Sequence, residues 1–426
     1  MSVSYFQIVK QNAAFRWLWF SQMTSLAGDW FNRIALMDFI SDPIKSGITE
    51  SGFYISLVLI CSFLPQFIIS PVAGIVVDRL NRKTILILTD LTRGFLVLGF
   101  LFLSQNSLWL LFSIESTVFL IAAFFLSAKA AIIPTIVTSS NELVSANAIS
   151  QMTWGVMLAL GAFSAGIIID NFGFKFAIIF NSLTYFVSAY FITLVDIDES
   201  KLKHNFHTRT KNAWHEFKKG VNYIIKDKFI SVLIMVKPGW AIGGGAILML
   251  HTVFGKIVFS AGSYGIGIFY MCRGIGVILG GIAGQWVVRK SEKLSVLLMV
   301  SILFCLYGLF YGIFSMMPSL FLAAIALTLA TAFSSNLWLL SRTTLQKIVP
   351  NEYRGRIFSH DEGLSTFFMM ASALVAGWGL DYFSKSEEIA VVARNIAFIG
   401  SVIMIGCGFI VLILSRFIIQ ETKLAK

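Results

Sequence analysis

Stretches of about twenty apolar residues recur along the whole length of this chain, and each is long enough to cross the hydrocarbon core of a bilayer as a helix. Twelve such spans are read: 15–40, 51–77, 84–103, 107–131, 144–169, 173–195, 229–254, 264–288, 294–315, 318–341, 359–383 and 395–416. In lipid every backbone polar group must be satisfied within the segment, so repeated spans of this length mean helices. Only 13% of the residues are charged, about half the fraction usual in soluble domains. The expected fold class is an all-α membrane protein with twelve transmembrane helices. The first span is too long for the core of a signal peptide and lacks a small-residue cleavage site, so it is kept as the first helix.

The net charge of +11 follows topology. Lys45, Lys175, Lys256, Lys385 and Arg394 fall on one side of the expected membrane, and Arg33, Arg93, Lys129, Lys237 and Arg273 fall within spans. The remaining 23 of the 33 Lys and Arg gather at the termini and in the loops of the other side, counting Arg16 and Arg416 at the span ends next to the termini. Basic residues accumulate in cytoplasmic loops, which places both termini inside and removes the case for a nucleic-acid partner. The four cysteines lie in spans without CxxC pairing, so no metal, cofactor or disulfide is expected.

Between Asp196 and Lys228 eight residues are Lys or Arg, marking a cytoplasmic linker. Three domains follow: a six-helix bundle over 1–195, the linker over 196–228, and a second six-helix bundle over 229–426. In "AWHEFKKGVNYIIKD" Trp214, Phe217, Val221 and Ile224 stand at helical spacing, predicting an amphipathic helix on the inner membrane surface. The halves are similar to each other. "GIVVDRLNRK" (74–83) and "GIAGQWVVRK" (281–290) share Gly, Ile and a closing Arg-Lys at an offset of 207 residues, and the Asn-Glu pairs at 141–142 and 351–352 repeat at an offset of 210. Two repeats meeting around a midplane site is a transporter plan.

"GIVVDRLNRK" resembles the signature that the major facilitator superfamily carries between its second and third helices. "FRWLWFSQMTSLAGDWFNRIAL", "PQFIISPVAGIVVDRLNRK", "DLTRG", "NELVSANAI" and "RGRIFS" are similar to its bacterial drug:proton antiporter branch, which includes macrolide-efflux and siderophore-export proteins. The resemblance implies the major facilitator fold, residence in the bacterial cytoplasmic membrane, and a monomer. It further implies a conformational latch at Gly74, Asp78, Arg79, Arg82 and Lys83, in which Asp78 docks near the start of the eleventh helix. Ordinary cytoplasmic anchoring is the competing reading for Arg82 and Lys83. The second copy departs from the pattern, with Gln285 for the Asp and Trp286 for the Arg. The fifth span, "GVMLALGAFSAG", keeps Gly155, Gly161 and Gly166 but lacks the branch's proline.

Charge inside the spans is the feature that points to chemistry. Gln22, Ser25, Asp29, Asn32 and Arg33 form one polar stripe on the first helix. A charge at the bilayer centre costs about 3 kcal/mol on insertion scales, so such residues face protein or water. Asp29 and Arg33 either pair across one helical turn and only fix packing, or line a solute path. Glu115, about 12 Å into the fourth span, matches the depth of Asp29, about 21 Å up from the other side. By family analogy the first, fourth, seventh and tenth helices line the cavity, so Asp29, Arg33 and Glu115 are the candidates for proton coupling. Gln22, Asn32, Trp154, Lys237, Trp240, Arg273 and Trp338 are candidates for the substrate cavity, with core packing the alternative for each Trp.

Asp90 and Arg93, three residues apart, are expected to satisfy each other. Ser359 and Glu362 have capping-box spacing, so Asp361 and Glu362 are expected at a helix start. There is no GxxxxGK[ST], HExxH or nucleophile elbow, so no enzyme is expected and ATP does not drive the chain directly. Three readings remain. The first is proton-coupled efflux of an amphiphilic small molecule such as a drug, siderophore or metabolite. The second is uptake or facilitated diffusion of a nutrient, metal chelate or metabolite, and the third a non-transporting membrane scaffold.

Overall fold

In the computed structural model, residues 7–48, 51–137, 139–196 and 213–424 are described, and the described residues form helices with no strand. Thirteen long helices are used below: α1 (Ala13–Ile40), α2 (Ser51–Arg79), α3 (Arg82–Leu98), α4 (Leu108–Ile136), α5 (Ser140–Val156), α6 (Ala162–Thr193), α7 (Ala213–Lys226), α8 (Lys228–Val253), α9 (Gly262–Leu294), α10 (Val296–Met316), α11 (Leu320–Ile348), α12 (Asn351–Phe383) and α13 (Ile389–Leu424). Ten helical stretches among the described residues are long and apolar enough to cross a membrane. One of them runs from Ser145 to Thr193, 49 residues, and breaks at Gly173, whose φ of 80° only glycine adopts at low cost. Counting that stretch twice, and adding the 28-residue but more polar α1, gives the twelve membrane-length helices read from the sequence.

The helix ends follow from their sequences. Asn12 caps α1, accepting from the Phe15 amide at 2.9 Å, and Asn81 caps α3, accepting from the Thr84 amide at 2.7 Å. Asp42 starts the single turn Pro43–Ser46 after α1. There Lys45 reaches back 2.6 Å to Asp38 and 3.4 Å to Asp42. Partial burial works against the Lys45 ammonium, but the two carboxylates outweigh it and hold its pKa above the usual lysine value. One expected boundary moves. α12 begins at Asn351 behind Pro350, so Ser359, Asp361 and Glu362 lie inside the helix and the spacing read as a capping box caps nothing. The apolar run that marks the span starts eight residues later than the helix, because the first two turns of α12 are polar.

The chain divides into two compact units, Met1–His207 with Ser260–Met271, and Thr208–Phe259 with Cys272–Lys426. In the first, α1 lies along α6, α2 along α4, and α3 along α4 and α6. In the second, α8 lies along α12 and α13, and α10 along α11 and α13. The partnership of α3 with α4 and α6 thus has its counterpart in α10 with α11 and α13, as a repeated six-helix plan requires. A π-helical turn, Met157–Gly161, joins α5 to α6, and another, Phe254–Val258, follows α8. The linker helix α7 packs on α12, with Tyr223 stacked on Tyr353 at 4.5 Å.

In the second unit Gly276, Gly280 and Gly284 form one face of α9. A Cβ at Gly276 would meet Thr331 and Thr328, one at Gly280 would meet Ser335 and the Ala332 carbonyl, and one at Gly284 would meet Leu339. Small residues four apart let two backbones approach where dispersion, rather than water exclusion, drives helix association. Gly280→Leu is expected to destabilise the protein by about 1–3 kcal/mol, the usual result of overpacking. The check is thermal unfolding in detergent, with Gly281→Leu, where a Cβ meets nothing within 4 Å, as the neutral control.

Candidate functional site

The charged groups inside the first unit form two connected clusters. The first centres on Asp29 of α1. Its carboxylate accepts a hydrogen bond from the Tyr185 hydroxyl of α6. The Arg93 guanidinium of α3 lies 4.5 Å from the Tyr185 ring and 4.7 Å from the Phe125 ring of α4. Arg93 pairs with Asp90 one turn earlier, as expected, and Asp90 also accepts from the Ser188 hydroxyl, which meets Ser21 of α1 at 2.9 Å. Asp90, Arg93 and Tyr185 are buried. A buried guanidinium in contact with two rings keeps its charge through cation–π contact as well as its carboxylate partner.

The second cluster centres on Glu115 of α4, which is 1% exposed. Its two carboxylate oxygens accept from Ser62 of α2 at 2.9 Å and from the Asn32 amide of α1 at 3.2 Å. Arg33 lies 5.9 Å from the Phe63 ring and 5.6 Å from the Phe119 ring, and acts electrostatically on both Glu115 and Asp29. The ion pair considered between Asp29 and Arg33 across one turn is not formed. Asp29 turns to Tyr185, and Arg33 turns to the two phenylalanines. Asp29, Asn32 and Arg33 therefore tie α1 to α2, α4 and α6 by separate side chains, and Glu115 is joined to the same stretch of α1.

The remaining candidates spread more widely. Gln22 donates to the Ser150 carbonyl of α5 at 3.0 Å. Trp154 is 41% exposed. In the second unit Trp240 and Trp338 meet edge to face at 5.1 Å, and Trp240 donates to Ser334 at 2.8 Å. Arg273 is half-buried and acts on His251 and Tyr307. Lys237 pairs with Asp361 and Glu362. The side chain of Asp78 lies outside the described residues, and a Cβ at Gly74 would meet nothing within 4 Å. Arg79 is exposed. Arg82 donates to the Ala131 carbonyl near the end of α4, and Lys83 to the Thr193 and Val195 carbonyls at the end of α6. Lys83 thus occupies the C-terminus of α6, where orphan carbonyls and the helix dipole favour a cation, while Arg82 binds a carbonyl in the penultimate turn of α4.

Sequence reading missed Tyr185, Ser188, Ser21 and Ser62. All are uncharged and common in membrane helices, so only their neighbours across the fold mark them. Among the described residues no group of three or more His, Cys, Asp or Glu is placed to hold a metal ion.

A bundle of membrane-length helices in two units, with carboxylates and the Arg93 guanidinium buried in the first, defines a polytopic membrane protein with charged groups inside its helices. The family model described as Major Facilitator Superfamily matches residues 18–360, and the chain belongs to that superfamily. It is therefore a multi-pass membrane transporter and not an enzyme. Among curated relatives it is 25% identical over 346 residues to "Putative bacilysin exporter BacE" of Bacillus subtilis (strain 168), covering 81% of this chain and 83% of the relative. It is 23% identical over 290 residues to "Uncharacterized MFS-type transporter YkuC" of the same organism, covering 66% of each chain. The fold is similar to a solved POT family transporter in complex with 5-aminolevulinic acid, with TM-score 0.71 at 13% identity over 96% of this chain and 97% of that one. It is also similar to the nucleoside transporter NupG, with TM-score 0.70 at 12% identity over 95% and 99%.

Breaking the Arg93–Asp90 pair alone leaves a buried charge uncompensated. Arg93→Met is expected to cost about 3–5 kcal/mol, and Asp90→Asn with Arg93→Met to recover most of that loss. Thermal unfolding of the three purified proteins in one detergent checks the order.

Proposed function

We propose that this chain exports an amphiphilic small molecule from a bacterial cell in exchange for protons. It works as a monomer in the cytoplasmic membrane, with both termini inside, and opens its site to each face in turn. The observation that carries the reading is that buried Glu115 of α4 is bonded by Asn32 of α1, one turn from Asp29, a half-buried carboxylate held by Tyr185 of α6, with Arg33 acting on both acids. A carboxylate in such a setting sits between a burial that favours the protonated form and neighbouring cations and donors that favour the charged one. Small changes in hydration then decide which form prevails, and a change of access supplies them. The exporter named among the relatives supports the direction of transport. Arg82 and Lys83, in this reading, brace the cytoplasmic ends of α4 and α6 while the loop around Asp78 acts as the latch.

Expression in a bacterium lacking its major pumps tests this. Cells carrying the protein should accumulate less ethidium, and a protonophore should erase the difference. Asp29→Asn and Glu115→Gln are each expected to reduce proton-driven efflux at least about tenfold, the effect of removing one general proton carrier. If both variants transport as well as the parent, the coupling assignment falls. If the protein raises accumulation instead, uptake is the correct direction.

A further inference from the structure

The second unit carries a groove that the export mechanism does not use. It has a volume of about 370 Å³ and lies between α9 and α10, with α11 as its floor. On the α9 wall Gly280 and Ala283 carry little or no side chain, so the wall recedes between Leu279 and Trp286. One end is apolar, built from Leu279, Ile302, Leu306 and Phe333. Leu279 and Ile302 are 45% and 40% exposed, so the slot opens sideways, toward lipid. The other end carries Trp286, which is exposed, and Lys290, whose ammonium lies 5.3 Å from the centre of the Trp286 ring. Leu279 and Lys290 stand eleven residues apart on α9, about 16 Å along the helix.

The chemistry along this slot runs in one order. At the mouth no carboxylate pairs with Lys290 among the described residues, and the sequence there, Arg-Lys-Ser-Glu-Lys over 289–293, holds three cations to one acid. An exposed Trp beside a Lys is the pairing found where a helix leaves the hydrocarbon for the headgroups. Farther in stands one polar side chain on the floor, Asn336 of α11, which is buried. It donates to the Ala332 carbonyl at 2.9 Å, and its Oδ1 accepts from nothing among the described residues. A Cβ at Gly284 would lie 3.6 Å from that oxygen, which puts it about 9 Å inward of Lys290. Beyond it the lining is hydrocarbon. Cation and indole, then an unanswered amide oxygen, then an apolar slot is the order that a phospholipid presents as phosphate, hydrated ester groups and acyl chain. A purely apolar occupant would leave Lys290 without a counter-charge, and a soluble anion would leave the slot unfilled.

We propose that this groove binds an anionic phospholipid, with the phosphate held by Lys290 and one acyl chain laid between α9 and α10. Basic pockets between membrane helices recognise anionic headgroups in this way. The chain fills the recess left by Gly280 and Ala283, and water of the ester zone meets the Asn336 oxygen. On the orientation proposed above, the lipid comes from the cytoplasmic leaflet. The site uses no residue of the Asp29 and Glu115 clusters and stands whether the chain exports or imports.

The full-length protein in phosphatidylcholine vesicles, with a trace of phosphatidylglycerol carrying a diazirine on one acyl chain, tests this by irradiation and peptide mass spectrometry. In the parent protein the label is expected to concentrate on residues 279–306. Phosphatidylcholine with the same diazirine chain should label that stretch about fivefold less, the effect of one basic residue at an anionic surface. Lys290→Gln should lower the phosphatidylglycerol label to that level, and Lys290→Arg should keep it. Ala283→Phe, at an exposed position where the added ring fills the recess, should lose the label. Ile282→Phe, 74% exposed and outside the groove, should match the parent. Equal labelling by the two lipids, or a phosphatidylglycerol label unchanged by both Lys290→Gln and Ala283→Phe, overturns the proposal. So does suppression of the label by excess ethidium, which would make the groove a solute site, or by glycerol 3-phosphate, which would make it a site for a soluble anion. Because Lys290 is exposed, its variants give the answer even if Ala283→Phe fails to fold.

Discussion

A charge taken into a low-dielectric interior must be answered by a partner, and the described structure answers each of its best-buried ones. Glu115 has Ser62 and Asn32, Arg93 has Asp90 and two aromatic rings, and half-buried Asp29 has the Tyr185 hydroxyl. Lys237 has two acids and Trp338. Because an unanswered buried charge is strongly destabilising, these contacts do more than decorate the helices. They fix the rotation of α1 about its own axis, since Asp29 must face Tyr185 of α6 while Asn32 faces Glu115 of α4. Apolar packing in lipid would leave that rotation weakly specified, because lipid tails and leucine side chains are nearly equivalent surroundings.

The same demand extends to the backbone at helix ends. Arg82 and Lys83 satisfy carbonyls of α4 and α6, and Arg394 satisfies the Ser315 and Met317 carbonyls at the end of α10. These three cations were noticed in the sequence for where they stand relative to the membrane. In the fold Lys83 and Arg394 also close helix C-termini, where the last four carbonyls lack partners, and Arg82 reaches a carbonyl one turn further in. One residue type thus serves both orientation and local geometry, which is why a count of basic residues by loop finds the topology but says nothing of the caps.

The helices and their number were legible because apolar length is a local property. The polar stripe on α1 and the matching depth of Glu115 were legible for the same reason, since helical rise converts sequence position into depth. What was not legible is which side chain meets which. Asp29 and Arg33 are correctly spaced for a pair, yet Tyr185, 156 residues away, takes the carboxylate and two phenylalanines take the guanidinium. Ser359 and Glu362 have the spacing of a cap, yet the helix had begun eight residues earlier. In both cases a short-range pattern lost to an interaction or a boundary set by the fold. Asp361 and Glu362 were visible as acids and invisible as partners of Lys237, because nothing near them in sequence carries the lysine.

The widened turn between α5 and α6 has a consequence for reading related sequences. A π turn holds one residue more than an α turn, so the stretch Met157–Gly161 carries an extra residue and swings the face presented after it by about 100°. The glycines at 155 and 166 stand eleven apart, close to three helical turns, and in an unbroken helix would share one side. Across the bulge they do not. A homologue with a plain helix there would align with this chain only after a one-residue gap, and its small-residue stripe would point a quarter-turn away.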